Sequence, residues 1–292
     1  MTEKPLVSVI INCYNGEKYL REAIDSVLAQ TYKNWEIVFW DNQSTDSTRD
    51  IVESYSDPRI HYFYAPEHTP LGEARNLAVE KANGEYINFL DADDVWMPEK
   101  FEKQIALIEP GKVEVVYTGF TPKFEGKSEA GNSMFHYYEQ VKKRRPKSGM
   151  TTYQYLLIHN FIIFSTVLFC KKLFLEVGGI DGRFNQNEDY DILLKCSLKT
   201  EFATTGDEDV VYRVHDTNNS NKNGCAHIFE NRLIFKNLPA SRGVKDAIKR
   251  NEISYAYYLL KNGEIKKGLR YFARYFSYKQ LMLMYNAKRG KI

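Results

Sequence analysis

No stretch of this chain reaches the roughly 18 consecutive apolar residues that a membrane span requires. The strongest candidate, residues 161–170, is interrupted by Ser165 and Thr166. Residues 1–5 run straight into a β-branched stretch, without the charged, apolar and small-residue regions of a secretory leader. Cysteine is sparse: Cys13, Cys170, Cys196 and Cys225 lie far apart and form no CxxC pair. That argues against a disulfide framework and for a reduced compartment. The first βα turn, Asn12-Cys13-Tyr14-Asn15-Gly16, is neither GxGxxG nor a P-loop. There is no internal repeat and no low-complexity tract, and no large excess of one charge, with 40 Lys or Arg against 38 Asp or Glu. A cytoplasmic chain without transmembrane helices and with no nucleic-acid partner is expected.

Aromatics are plentiful, 14% of 292 residues, which suits a deep core or surfaces that stack on sugars. Charge is segregated along the chain. Residues 241–292 carry 13 Lys or Arg against 3 Asp or Glu, while residues 1–240 carry 27 against 35, so a basic end is attached to a mildly acidic body. Such an end suggests an anionic partner.

Short β-branched or aromatic runs at residues 6–12, 35–40, 60–64 and 86–90 alternate with helical spacing at 17–30, 47–54 and 71–82. That rhythm predicts a doubly wound, mostly parallel α/β sheet. The order then loosens. A strand is expected over 113–120, a polar mobile excursion with the basic cluster Lys142-Lys143-Arg144-Arg145 over 121–150, and strand over 161–171. A helix opens at Asn187, a last strand covers 210–214, and helices follow from about 226, including a hairpin around Asn262-Gly263.

Chemistry-bearing residues gather at the predicted strand ends, the edge where open α/β sheets bind ligands. Asp91-Ala92-Asp93-Asp94 follows the fourth strand, and two carboxylates one residue apart suit a hard divalent cation that also holds phosphates. The alternative is an acidic turn capping the helix after Trp96-Met97-Pro98. Asp41 ends the second strand, where it can accept from the ring N–H of a base or cap the turn toward Ser44 and Thr45. Asn12 and Tyr14 offer an amide and an aromatic face to a nucleobase, although Tyr14 can equally cover the sheet edge. Arg75, near the start of the third helix, can meet a diphosphate, hold the acids or simply sit on a surface. Clustered carboxylates repel unless a cation or donors neutralise them, which favours a metal among Asp41, Asp91, Asp93 and Asp94. Glu188-Asp189-Tyr190-Asp191 is a second acidic centre, suited to a general base or to stabilising a helix start. His215 follows the last strand.

Taken in order, VSVIINCYNGEKYLREAIDSVLAQTY, WDNQSTDST, GEARN, GEYINFLDADD, GGIDGRF, NEDYDILLK and YRVH with TNNS resemble the inverting family 2 glycosyltransferases of GT-A fold, over about residues 5–220. The resemblance implies a GT-A type catalytic domain over 1–225, with a nucleotide-sugar half to about 120 and an acceptor half beyond it. Residues 226–292 are expected to form a basic helical C-terminal region. It implies that Asn12, Tyr14 and Asp41 contact the nucleoside, that Arg75 sits by the pyrophosphate or the acids, and that Asp91 binds ribose or a metal-bound water. It further implies that Asp93 holds Mn2+ or Mg2+, with His215 near the metal or diphosphate, and that Asp189 is the general base, supported by Glu188. Two departures stand out: Asn42 replaces the second Asp of the usual loop, and Ala92 makes the metal motif DAD.

The activity implied is metal-dependent, inverting transfer of a sugar from a nucleotide donor, UDP-linked by expectation, to a glycan or lipid-linked acceptor in surface polysaccharide synthesis. A non-catalytic nucleotide- or glycan-binding module of the same fold is the alternative. A sugar nucleotidyltransferase would need a Gly-rich, Arg-bearing first loop, which is missing. In the C-terminal region Leu269, Tyr271, Phe272, Tyr275, Phe276, Leu281, Met282 and Met284 are interleaved with Lys266, Lys267, Arg270, Arg274, Lys279, Lys288 and Arg289. Such a segment either lies peripherally on the inner membrane face or packs as a hairpin on protein, a homo-oligomeric partner included.

Overall fold

The structure is a computed structural model that describes residues 4–216, 218 and 225–275. The chain divides into two compact units, Met1–Lys222 and Asn223–Ile292.

The first unit is built on an eight-stranded sheet, β1 (Val7–Cys13), β2 (Trp35–Asp41), β3 (Ile60–Tyr64), β4 (Tyr86–Phe89), β5 (Val95–Trp96), β6 (Val113–Phe124), β7 (Val167–Cys170) and β8 (Glu201–Val214). Their spatial order is β3-β2-β1-β4-β7-β6-β8-β5. The first four strands are parallel neighbours, as are β6 and β8, whereas β7 and β5 run antiparallel to theirs. The sheet is thus mixed and mostly parallel. β1 and β2 are almost wholly buried, because helices cover both faces of a parallel sheet and leave no solvated side. Helix α1 (Leu20–Leu28) lays Leu20, Ala23, Ile24 and Val27 on Val7, Val9 and Ile11. The next helices are α2 (Thr48–Glu53), α3 (Leu71–Lys81) and α4 (Lys100–Ile105). Opposite residues in the ladder fix what meets at the edge: Asn12 pairs with Trp40 and Cys13 with Asp41.

Three expectations are corrected. Residues 121–150 are not an unstructured excursion. β6 runs on to Phe124, and α5 (Glu129–Val141) follows, capped by Ser128, whose Oγ accepts from Gly131 N at 3.0 Å. Its inward side, with Met134, Phe135, Tyr138 and Val141, joins the main core. The last strand begins at Glu201, nine residues early, and its opening half is polar and crossed by register irregularities against β6. Asp91–Asp94 do not cap a helix after Trp96; Val95–Trp96 pair with Val210–Val211 and the helix starts only at Lys100.

Beyond β6 lie α6 (Thr152–Leu156), a 3-10 turn at Phe164–Thr166, α7 (Lys171–Glu176) and α8 (Glu188–Ser197). The second unit holds α9 (Ala226–Asn237), α10 (Arg242–Lys261) and α11 (Ile265–Tyr275). Ile228, Tyr255 and Leu259 form its core, and Arg232 pairs with Glu252 at 2.5 and 2.6 Å while lying over the Tyr255 ring. Gly263 turns the chain at φ +82°, a conformation suited to glycine. The expectations for Phe276, Lys279, Leu281, Met282, Met284, Lys288 and Arg289 lie outside the described residues. Among the described residues no helix is long and apolar enough to cross a membrane.

Candidate active site

Strands β1, β2 and β4 deliver their ends to one edge of the sheet. Asp91 leaves β4 and meets Arg75 of α3, with Arg75 Nη2 2.9 Å from Asp91 Oδ1. The other arm of the same guanidinium lies 3.0 Å from Glu188 Oε1 at the start of α8. Arg75 is 4% exposed and its Cζ lies 4.7 Å from the centre of the Phe164 ring. A buried guanidinium is tolerable because two carboxylates and an aromatic face replace its water. One cation therefore joins the acid loop after β4 to the acidic centre of α8.

Asp93 and His215 also meet. His215 Nε2 is 2.9 Å from Asp93 Oδ2, and its ring stacks on Tyr19 at 5.1 Å. Asn218 Nδ2 adds a contact to the same carboxylate at 3.3 Å. Asp94, 1% exposed, accepts from Ser165 Oγ at 2.5 Å and from Arg213 N at 3.0 Å. Burial, then repulsion from Asp93 and Asp91, pushes the Asp94 carboxyl well above the ordinary range. Burial, together with Asp93, also raises Asp91, against the pull of Arg75. Burial is the main cause of both shifts, and the neighbouring carboxylates add to it.

Asp189 sits beside Glu188 in the first turn of α8 and accepts from Tyr190 N at 2.6 Å. Burial and the Glu188 charge push its carboxyl up to about 7, with Arg75 opposing. A carboxylate titrating there is matched to proton abstraction near neutral pH.

The nucleoside candidates are arranged differently. Asp41 is fully buried and committed to Ser44 N and Tyr62 Oη, each at 2.7 Å. It secures the loop after β2. Tyr14 is 55% exposed and meets His68 edge-on at 4.7 Å. Asn12 Nδ2 and Oδ1 have no hydrogen-bond partner among the described residues, and neither has Nε1 of its ladder neighbour Trp40. Buried polar groups are seldom left so, and an amide with both ends unspent can read a base or hold a water. Asn42 is bound to Thr69 through its amide, with Nδ2 2.8 Å from Thr69 O.

The family model for glycosyl transferase family 2 matches residues 8–177. The chain is a family 2 glycosyltransferase. An uncharacterized glycosyltransferase of Rickettsia typhi, RT0329, is 36% identical over 222 residues, covering 75% of this chain and 67% of that protein. The Escherichia coli protein WfaP, named a UDP-Glc:alpha-D-GlcNAc-diphosphoundecaprenol beta-1,3-glucosyltransferase, is 31% identical over 91% of this chain and 97% of its own length. The chain spans only 27–58% of the length of five other curated relatives. Among solved structures, the mannosyltransferase PcManGT from Pyrobaculum calidifontis, in complex with GDP-Man and Mn2+, superposes with a TM-score of 0.63 at 17% identity, covering 99% of this chain and 81% of that one. The fold of this family 2 transferase is thus GT-A type.

Among the described residues no three His, Cys, Asp or Glu side chains converge on one point. The donor set nevertheless fits a divalent cation: two partly exposed carboxylates, Asp91 and Asp93, with an imidazole against the second. Three residues of this transferase escaped sequence reasoning. Ser165 read as a break in an apolar run, Trp40 as the last residue of a strand run, and Arg213 as part of a string rather than a side chain. Arg213 is 2% exposed and ties Glu22 at 2.9 Å and Glu125 at 3.2 Å across the Tyr19 ring.

Proposed function

We propose that this glycosyltransferase moves a sugar with inversion from a uridine diphosphate donor to a hydroxyl of a lipid-linked glycan, beside the inner face of a membrane, with a divalent cation at Asp91, Asp93 and His215. The observation that carries this reading is the bridge of Arg75 between Asp91 and Glu188. It sets the acids suited to a donor diphosphate and the acids suited to a base on the two arms of one guanidinium. The acceptor and nucleotide classes follow the chemistry named for WfaP, and the use of a metal is consistent with the Mn2+ bound by PcManGT.

In the transfer, the acceptor oxygen forms a bond to the anomeric carbon as the bond from that carbon to the diphosphate oxygen breaks. Asp189 takes the hydroxyl proton; burial, with the Glu188 charge beside it, keeps its carboxyl in the raised range. Arg75 keeps Asp91 and Glu188 in register. Asn12 and Tyr14 meet the base, while Asp41 acts on it indirectly by fixing its loop. The metal, when bound, would stabilise the departing diphosphate as a Lewis acid.

Calorimetry of UDP binding with and without Mn2+ tests the donor half. UDP should bind at least tenfold more tightly with Mn2+, and Asp93→Ala should abolish that gain. Equal affinity in EDTA would remove the cation from the scheme.

A further inference from the structure

Ser165 lies in the 3-10 turn Phe164–Thr166, is fully buried, and meets the acid loop through one hydroxyl. Its Oγ is 2.5 Å from Asp94 Oδ2, 3.4 Å from Asp91 Oδ2, and accepts the Asp91 N–H at 3.4 Å. Its carbonyl accepts from Trp96 Nε1 at 3.0 Å, just past the loop. The turn itself is held from behind. Gln104 Nε2 donates to Thr166 O at 2.9 Å and to Val116 O at 3.0 Å, and Lys100 Nζ donates to Gln104 Oε1 at 2.9 Å. The hydroxyl is therefore a fixed point on a buttressed turn, and the loop is the part it locates.

The chain of contacts continues across the site. The carboxylate that Ser165 holds takes the Arg213 N–H through its other oxygen. His215, two residues on, meets Asp93. Asp93 and His215 come from different strand ends, so their 2.9 Å approach depends on the register between the loop after β4 and the end of β8. The β5–β8 ladder fixes the strands just beyond the loop, and Ser165–Asp94–Arg213 is the side-chain link that ties the loop itself to the end of β8.

We infer that Ser165 is a positioning residue that aligns the acid loop with His215, so that the donor site is assembled from two strand ends in one register. This deepens the proposed function and rests on it for its consequence, though not for the alignment. A hydroxyl so placed acts on geometry through Asp94 and does not touch the substrate.

The test is NMR of the His215 ring in metal-free wild type, Ser165→Ala and Ser165→Cys, together with donor kinetics and melting temperature. In Ser165→Ala the ring resonances of His215 should move, since the Asp93 contact loosens. The kcat should fall about 10–100-fold, with KM for the donor rising less and with wild-type melting within a few degrees. Ser165→Cys, near in shape and a weaker donor, should fall between the two in both readouts. If Ser165→Ala does not fold, the Cys variant decides by the same criterion. Unmoved His215 resonances overturn the inference whatever the activity. Moved resonances in a protein whose wild type transfers no sugar uphold the alignment and sink the proposed reaction instead. A loss of activity that tracks loss of folded protein, with no recovery in Ser165→Cys, also overturns it.

Discussion

A guanidinium held 2.9 Å from Asp91 and 3.0 Å from Glu188 leaves Asp189, beside Glu188, with burial and a like charge as its dominant neighbours. That is why its carboxyl reaches about 7 from an ordinary 3.8. As a base it must be ionised, so kcat/KM should fall about tenfold per pH unit below 7 and level off above it. Asp189→Asn keeps the volume and removes the proton acceptor. It should retain nucleotide affinity and lose about 10²–10⁴-fold in transfer; rates within threefold of wild type would move the assignment to Glu188 or Asp191. Stability changes in the opposite sense. The folded protein keeps a proton on Asp189 that the unfolded chain gives up near pH 4. This residue therefore subtracts stability progressively as pH rises from about 4 to 7. Asp189→Asn should accordingly melt higher relative to wild type at pH 8 than at pH 4, and thermal melts at the two values check the sign.

Elements set these distances by how closely strands approach. Gly84 sits where β4 enters beside β1, and a Cβ there would lie 2.7 Å from Leu6 O, Ser8 N and Ser8 Oγ. Two of those atoms are backbone, so the strand would have to shift. Gly84→Ala should cost about 1–3 kcal/mol, read as an earlier denaturation midpoint, with donor turnover reduced because β4 carries Asp91. An unchanged midpoint would mean the ladder yields freely. The same close packing explains what was readable beforehand. β1, β2 and β4 announced themselves because strands buried on both faces are largely apolar, and Asp41 and Asp91 were conspicuous because they end such runs; β3, half-buried at the sheet edge, showed through its aromatic run. Helix α5 stayed hidden because its inward residues, Met134, Phe135, Tyr138 and Val141, are spaced among polar ones, and polar composition read as loop. The opening of β8 stayed hidden because Thr204, Thr205 and Gly206, with Gly206 at φ +81°, break any alternation. Asp93 beside His215 was legible only as a resemblance; the contact joins residues 122 apart in sequence. Ser165 could not be read at all, since a small hydroxyl in an apolar run carries no sign of which loop it fastens.

At the scale of the whole molecule, charge is divided between the acidic body and the basic final fifty residues, and the second unit gives that division a surface. In α11, a Cβ on Gly268 would lie only 2.7 Å from the Leu260 side chain, and Tyr271 meets Tyr255 edge-on at 5.1 Å. That side of the helix packs inward on α10. On the outward side Ile265 and Leu269 are 59% and 57% exposed, one turn apart, with Lys266, Arg270 and Arg274 exposed around them. Apolar residues ringed by cations suit an anionic membrane surface, where a lipid-linked acceptor would be presented. Each such cation contributes about 1 kcal/mol, roughly fivefold in affinity. The full chain should therefore sediment with vesicles containing anionic lipid at low salt and be released at high salt, because the attraction is screened. Lys266→Gln, Arg270→Gln and Arg274→Gln together should weaken binding by at least tenfold while leaving turnover of a water-soluble acceptor within twofold of wild type. If wild type stays in the supernatant at low salt, α11 is not a membrane contact, and its exposed Ile265 and Leu269 must be covered by protein. If the variant binds as wild type does, the cations that hold the chain to the vesicle lie elsewhere.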